Sequence, residues 1–218
     1  YKAEDLQGRG VRALKVLKPE ILDDEPLVSR FLQEGCHLAR IDHPALARLE
    51  HMGLCRGRPF MALELLEGET LRQYFKRTGR LSPDETLRIL EQIVEALRAV
   101  HRSGLVHRDV KPNNVMLVPA ELDDTWVDGG AARGRTKVKL IDLGLSRPAG
   151  EAEIADRQYF LGTAKYMAPE LILGKSVDGR ADIFSLGVLT YQLITGRPPF
   201  DERRSYDFLE ANVRSEPP

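Results

Sequence analysis

A chain of 218 residues, 42% hydrophobic and 30% charged, is long enough for a sizeable core and ordinary in composition for a globular protein. A net charge of −1 excludes a strong basic field for nucleic acid or an anionic membrane, and no apolar run is long enough to span a bilayer. Its two cysteines, Cys36 and Cys55, lack metal-site spacing, and no signal peptide opens the chain, which points to a reducing, cytoplasmic setting.

Residues 1–18 read as two strands joined by a turn at Gln7-Gly8-Arg9-Gly10. In the second strand Val11, Ala13, Lys15 and Leu17 share one face by period-two alternation. Lys15 thus points the way its apolar neighbours point. Pro26 to Ile41 reads as a helix, with Leu27, Phe31, Glu34, Leu38 and Ile41 along one stripe. Glu34 lies inside that stripe. A buried carboxylate needs a partner or becomes neutral, and Lys15 is the natural partner. The other reading sets Glu34 at the stripe's edge, reaching solvent. Gly35 weakens the helix by about 1 kcal/mol relative to alanine, a softness that suits a helix able to swing. Residues 46–66 read as two strands around Cys55-Arg56-Gly57-Arg58. The second contains the buried run Phe60-Met61-Ala62-Leu63, and Glu64-Leu65-Leu66-Glu67-Gly68 leaves it.

A short helix follows near Thr70–Thr78. Ser82-Pro83-Asp84-Glu85 opens a longer one as a capping box. Leu87, Leu90, Val94, Leu97 and His101 share a face of that helix, which ends at Gly104. Then comes the most polar stretch, His107-Arg108-Asp109-Val110-Lys111-Pro112-Asn113-Asn114. It reads either as a polar surface turn or as a site. A proton acceptor (Asp109), a cation two residues on (Lys111) and an amide oxygen five residues on (Asn114) suit phosphoryl transfer to a hydroxyl. That reaction is mostly positioning and charge neutralisation.

Val115-Met116-Leu117 is a short strand. Residues 119–136, which hold the only tryptophan, Trp126, read as a surface loop, either a tolerated insertion or a docking segment. Val138 to Ile141 is a strand that ends in Asp142-Leu143-Gly144. A carboxylate at a strand's end before a glycine turn is a good place for Mg²⁺. Ala181 to Thr195 is apolar nearly all round and reads as a fully buried helix, with Asp182 at its positively polarised start. Gly196-Arg197-Pro198-Pro199 stops it, and residues 205–214 read as one more helix.

Six of these features stand in one order: Lys15 within Ala13-Leu14-Lys15, Glu34, Asp109-x-x-x-x-Asn114, Asp142-Leu143-Gly144, Gly162 to Ala168-Pro169-Glu170, and Asp182. In that order the chain resembles a eukaryotic-like serine/threonine protein kinase, nearest in style to the bacterial members. Leu143 stands where the family usually has Phe. The resemblance implies an α+β, two-lobed protein-kinase-like fold. A small β-rich lobe with one helix would cover residues 1–66. A larger, mostly helical lobe would cover 67–218, with a loop insertion at about 119–136. The Gly-rich loop would lie before Tyr1 and the last helices beyond Pro218, so both lobes would be partial.

The resemblance also implies ATP and Mg²⁺ as cofactors and protein substrates bearing Ser or Thr. Asp109 would orient the substrate hydroxyl and accept its proton. Lys111 would neutralise the moving phosphoryl group, and Asn114 and Asp142 would hold Mg²⁺. Thr163 would complete the catalytic set, and with Lys111 it favours Ser/Thr over Tyr substrates. Ala13, Lys15 and Glu34 would belong to the nucleotide site, Lys15 holding the α- and β-phosphates. Leu63 would be the gatekeeper. The backbone of Glu64 and Leu66 would bond the adenine, and Met116 would close the floor beneath it. His107, Leu143, Leu38 and Leu49 would form the regulatory spine, and Asp182 would hold the catalytic-loop backbone. Arg108 would meet the segment before Ala168 through a carboxylate of Glu151, Glu153 or, foremost, Asp156, or through Tyr159; the other reading leaves that segment disordered until substrate or a partner binds. A pseudokinase or nucleotide-binding scaffold is the alternative class. It usually shows loss of a catalytic residue, and none of those visible is lost.

Overall fold

The computed structural model describes residues 1–6, 8, 10–119, 136–151, 164–200 and 205–215, with side chains in the last stretch from Leu209. Strands β1 (Lys2–Glu4) and β2 (Val11–Val16) are antiparallel, with Glu4 opposite Val11. Between them Gly8 and Gly10 take positive φ, as the predicted turn requires. Helix α1 (Glu25–Leu38) follows, then the hairpin β3 (Leu49–Cys55) and β4 (Arg58–Glu64). Its two turn residues, Arg56 and Gly57, are both left-handed, which matches the twist of the strands they join. The sheet order is β1-β2-β4-β3.

Helix α1 lies on this sheet through Phe31, Glu34, Gly35 and Leu38. Asp24 caps it by accepting the Leu27 N–H at 3.1 Å. The helix ends at Leu38, so Ile41, the last residue of the predicted stripe, is buried beyond it. Gly35 has a packing reason. A Cβ there would lie 2.9 Å from Met52 Cε and 3.2 Å from Met61 Sδ, so the glycine lets α1 sit close on β3 and β4.

Beyond residue 64 the chain runs β5 (Glu69–Thr70), α2 (Leu71–Thr78), α3 (Pro83–Arg102), β6 (Leu105–Val106), β7 (Val115–Pro119), β8 (Thr136–Leu140), β9 (Arg147–Pro148), α4 (Pro169–Ile172), α5 (Arg180–Thr195) and α6 (Ser205–Arg214). β5-β7-β8 form one small sheet and β6-β9 another. Pro119 pairs with Thr136, so the predicted insertion begins and ends on one rung of a hairpin. Residues 120–135, Trp126 among them, lie outside the described residues. A single hydrophobic cluster joins the first sheet and α1 to the helices, from Phe31 and Met61 through Leu143 to Ile93 and Leu189. Ala47 N–H donates to the Leu140 carbonyl and Leu140 N–H to the Ala45 carbonyl, at 3.0 and 2.8 Å. No helix among the described residues is long and apolar enough to cross a membrane.

Three sequence expectations need correction. On α3 the buried residues are Thr86, Ile89, Ile93, Ala96, Leu97 and Val100; of the predicted face, Leu97 is buried and Leu90 and Val94 pack against the core, while Leu87 is 56% exposed. The helix has apolar residues on two adjoining stripes, both of which meet the core, and periodicity alone does not say that Leu87 stays out. Ser82 does accept the Glu85 N–H, but the Glu85 carboxylate takes the Tyr74 hydroxyl and does not close the capping box. On α5 Ile183 and Ile194 are exposed, so that helix is not buried all round.

Gly68 passes so close to β7 that a Cβ would stand 2.1 Å from the Leu117 carbonyl oxygen. The obstacle is backbone and cannot turn aside. Gly68→Ala should therefore destabilise the fold by about 1–3 kcal/mol, read as a lower denaturant midpoint. An unchanged midpoint would mean that the segment after β4 shifts freely.

Candidate active site

The stretch from His107 to Asn114 leaves β6 and is tied from beneath. Asp182, fully buried in the first turn of α5, accepts the N–H of His107 at 2.9 Å and that of Arg108 at 2.8 Å. Its Oδ2 also meets His101 Nε2 at 2.7 Å. Gly179 leaves room for that imidazole, since a Cβ there would come within 2.8 Å of the ring. Arg108 stands at φ 64°, a left-handed conformation that costs a non-glycine residue roughly 1–2 kcal/mol. Hydrogen bonds to an ionised group are about twice as strong as neutral ones, and they hold the turn in place. The Arg108 guanidinium donates to the carbonyl oxygens of Glu151 at 2.9 Å and Pro148 at 3.4 Å. It thus reaches the chain at Pro148 and Glu151, ahead of Ala168, through main-chain oxygens. Asp156 and Tyr159 lie outside the described residues, as does Thr163.

Asp109 is buried. Its Oδ2 accepts from Lys111 Nζ at 2.7 Å and from Asn114 Nδ2 at 2.8 Å. The same Asn114 nitrogen donates to the Asp109 carbonyl at 2.9 Å. Both N–H groups of that amide are used, so Asn114 presents its carbonyl oxygen. Asp109 Oδ1 has no hydrogen-bond partner among the described residues, although it is buried. Such an oxygen costs about 1–3 kcal/mol until a donor arrives. Burial pushes the Asp109 carboxyl above its ordinary range, against the opposing pull of Lys111. A carboxylate so placed takes a proton more readily than a solvated one.

Lys15 Nζ lies 2.7 and 2.6 Å from the two oxygens of Glu34 and 3.4 Å from Asp142 Oδ1. Strand β2, helix α1 and the end of β8 thus deliver one cation between two carboxylates. Asp142 stands at φ 69°. Its Oδ1 accepts the Gly144 N–H at 3.1 Å, the kind of local bond that lets Asp adopt this conformation. Gly144 is narrow by need, since a Cβ would lie 3.0 Å from Asp142 Oδ1 and 3.3 Å from Glu34 Oε2. Ile141 N–H donates to the main-chain carbonyl of Asn114 at 2.8 Å, which sets the Asp142 turn against the Asp109 loop.

Burial pushes the Glu34 carboxyl up to about 7; the charge of Asp142 adds to this and Lys15 opposes it. Burial lowers the Lys15 value, but Asp142 and Glu34 outweigh it and the net shift is upward. Burial alone would raise Asp142, yet Lys15 and the Gly144 N–H hold it below its ordinary range. Lys15 therefore stays cationic, Asp142 stays anionic, and Glu34 is the group that takes up a proton. The Asp142 carboxylate and the Asn114 side-chain amide oxygen are hard oxygen donors. They suit a Mg²⁺ ion that keeps its waters and shares substrate phosphates. No group of three or more His, Cys, Asp or Glu is assembled among the described residues, so these residues do not offer an all-protein cage.

The other predicted residues sit nearby in the fold. Ala13 faces Leu63 across β2 and β4, and Met116 of β7 faces Thr70 of β5. All but Thr70 were predicted at the nucleotide, and each is half-buried, as is Leu66. The Glu64 carboxylate bonds Lys139 Nζ and the Arg48 N–H. Leu38 and Leu143 are buried in one cluster with Leu49 packed against it, and His107 is buried too. Sequence reasoning missed the clamp on residues 164–167. Asn212 of α6 donates to the carbonyls of Ala164 and Met167 at 3.0 and 2.8 Å, and Ser185 of α5 donates to the Tyr166 carbonyl at 2.7 Å. The available signal was an amide on the buried face of an amphipathic helix.

Glu34 titrates far above its ordinary value of 4.5, at about 7. Between those values the folded protein binds a proton that the unfolded chain has released. The stability this contributes is complete below the unfolded value and is lost as pH rises through the folded one. In metal-free protein the melting temperature of the wild type should fall relative to Glu34→Gln as pH rises from about 5 to 8. A pH-independent difference would show that Glu34 ionises normally.

A model of the protein kinase domain matches residues 1–216. The chain is 36% identical over 217 residues to the serine/threonine-protein kinase PknL of Mycobacterium tuberculosis, covering 98% of this chain and 51% of that protein. It is 35% identical to PknA of the same species, covering 97% of this chain and 46% of PknA. Against PkaA of Streptomyces coelicolor the identity is 33%, over 94% of this chain and 36% of that protein. The chain thus spans about half the length, or less, of these relatives. Sequence likeness across nearly its whole length and the arrangement of Lys15, Glu34, Asp109 and Asp142 agree: the chain belongs to the protein kinase family, with that family's two-lobed α+β fold.

Proposed function

We propose that the protein transfers the γ-phosphoryl group of ATP, with Mg²⁺, to Ser or Thr hydroxyls of protein substrates in signalling. The observation that carries this reading is Asp109, with one oxygen held by Lys111 and Asn114 and the other buried without a donor among the described residues. A substrate hydroxyl is the donor that fits. Three relatives, PknL, PknA and PkaA, bear the name serine/threonine-protein kinase, which supports Ser and Thr as acceptors. The lobes in this reading are residues 1–66 and 67–218, and the setting is cytoplasmic.

Asp109 Oδ1 accepts the hydrogen bond of the hydroxyl and aims its oxygen at phosphorus. As the new oxygen–phosphorus bond forms, the bond to the ADP oxygen breaks and the hydroxyl proton passes to Asp109. Lys111, beside Asp109, offsets the charge that develops on the moving group. Lys15, steadied by Glu34, holds the nucleotide phosphates. Asp142 and Asn114 would hold Mg²⁺, which when bound neutralises phosphate charge. Ala13, Leu63 and Met116 offer apolar surface to the adenine, and the main chain of Glu64 and Leu66 offers hydrogen bonds. Thr163 belongs to the catalytic set on the substrate side.

The reading is tested by γ-phosphate transfer to a protein substrate. Asp109→Asn and Asp142→Asn should each lower turnover by about a hundredfold or more. Asp109→Asn should leave metal-free nucleotide binding intact. Near wild-type turnover in either variant would contradict the assigned roles. Nucleotide binding without turnover in the wild type would instead favour a scaffold.

The substrate side has its own test. Asn212→Ala unties residues 164–167, so it should raise KM for the protein substrate by about fivefold, the worth of roughly 1 kcal/mol, with KM for ATP unchanged. Equal changes in both constants would mean that the clamp supports the whole fold.

A further inference from the structure

Helix α1 carries a second tie to the Asp142 turn. His37 stands one helical turn beyond Glu34, and its Nδ1 lies 2.8 Å from Ser146 Oγ. Ser146 is fully buried. Its Oγ lies 2.6 Å from the Leu143 carbonyl, and its N–H donates to that same carbonyl at 2.9 Å.

The chemistry of the groups sets the directions. A carbonyl oxygen only accepts, so the Ser146 hydroxyl hydrogen goes to Leu143. The Ser146 oxygen is then left as an acceptor, and His37 Nδ1 must carry the hydrogen between them. Both the neutral Nδ1–H tautomer and the imidazolium meet that requirement. The bond therefore closes a chain from α1, through a buried hydroxyl, to the main chain of the Asp142-Leu143-Gly144 turn.

The two ties differ in one respect. Lys15, which links Glu34 to Asp142, is also a group that a nucleotide phosphate draws on. His37 and Ser146 lie off that cluster, and their bond uses no atom of Lys15, Glu34 or Asp142. We infer that His37 and Ser146 are positioning residues, whose hydrogen bond holds α1 against the Asp142 turn and keeps Glu34 within reach of Lys15 before nucleotide binds. The effect on turnover rests on the kinase reading. The effect on α1 does not.

The experiment compares His37→Ala, Ser146→Ala, the double variant and His37→Asn. Asn carries its N–H on the atom attached to Cγ, as His carries Nδ1, so it can donate to the same oxygen. Backbone amide exchange across residues 25–38 is measured in ligand-free protein. Losing the His37–Ser146 bond, worth roughly 1 kcal/mol, should speed exchange about fivefold in His37→Ala and at least as much in Ser146→Ala, which also loses the hydroxyl's bond to the Leu143 carbonyl. The double variant should exchange no faster than Ser146→Ala, because that single change already removes the His37–Ser146 bond. His37→Asn should stay near the wild type, and saturating ATP with Mg²⁺ should restore slow exchange in the alanine variants. In transfer assays kcat should fall by a similar factor in the alanine variants and recover in His37→Asn. Unchanged exchange in the alanine variants, additive effects in the double variant, or an Asn variant no better than Ala would each overturn the inference. Absent turnover in the wild type would remove the kinase reading, and the exchange data would still decide the tie.

Discussion

A carboxylate with no exposure, Asp182, is the point from which the site is built. A buried charge is costly unless its oxygens are satisfied. Here Oδ1 takes the Arg108 N–H, while Oδ2 takes the His107 N–H and faces His101. Its place in the first turn of α5 adds the positive end of the helix. The loop with Asp109, Lys111 and Asn114 therefore leaves from an anchored main chain. Asp109 N–H continues the chain of constraints by donating to His107 Nδ1 at 3.2 Å. Within the loop, Asn114 then fixes Asp109 through two bonds. The order of dependence runs from α5, through backbone N–H groups, to the Asp109 carboxylate.

The second constraint is a shortage of positive charge. Lys15 is one cation between Glu34 and Asp142. Asp142 keeps its charge because a backbone N–H supplements the lysine, and Glu34, at 4% exposure, gives way toward neutrality. Positive charge brought to Asp142 would weaken the repulsion that raises Glu34. Ligand binding at Asp142 and the strength of the Lys15–Glu34 pair are therefore linked, and linkage of this kind is reciprocal. Gly144 keeps the two carboxylates close enough for that coupling, since any side chain there would wedge between them.

The parts of this arrangement that were legible in the sequence share a property. Lys15, Glu34 and Asp182 are charged residues at positions whose neighbours are apolar by period, and that contradiction is visible without coordinates. Asp109 and Asn114 were legible through their spacing. The hydrogen bonds that support them were not. His37 and Ser146 are 109 residues apart, and Asn212 is 48 from Ala164. His37 and Ser146 look locally like ordinary polar residues, and although Asn212 stands on the buried face of its helix, no pattern marks the main-chain carbonyl it meets. The exposure of Leu87 on α3 has a different cause. Leu87 and Ile89 are both apolar, and only tertiary contact decides that Ile89 goes in and Leu87 stays out.

Backbone strain separates the site from ordinary turns only when burial is added to it. Arg56, Arg108 and Asp142 are the non-glycine residues at positive φ among those described. Arg56 is exposed in a hairpin turn, where the twist of β3 and β4 demands that conformation. Arg108 is buried and its N–H is held by Asp182. Asp142 is held by its own side chain through Gly144. In both site residues a carboxylate bond to a backbone N–H offsets the strain, and in both the result aims a group that a regular strand or helix could not aim. The Asp109 oxygen that lacks a partner among the described residues completes the pattern. Its cost, about 1–3 kcal/mol, is within what the continuous core around it can offset. Under the proposed transfer to a hydroxyl, an unmet acceptor is what the chemistry needs, and this local cost is then no defect of packing.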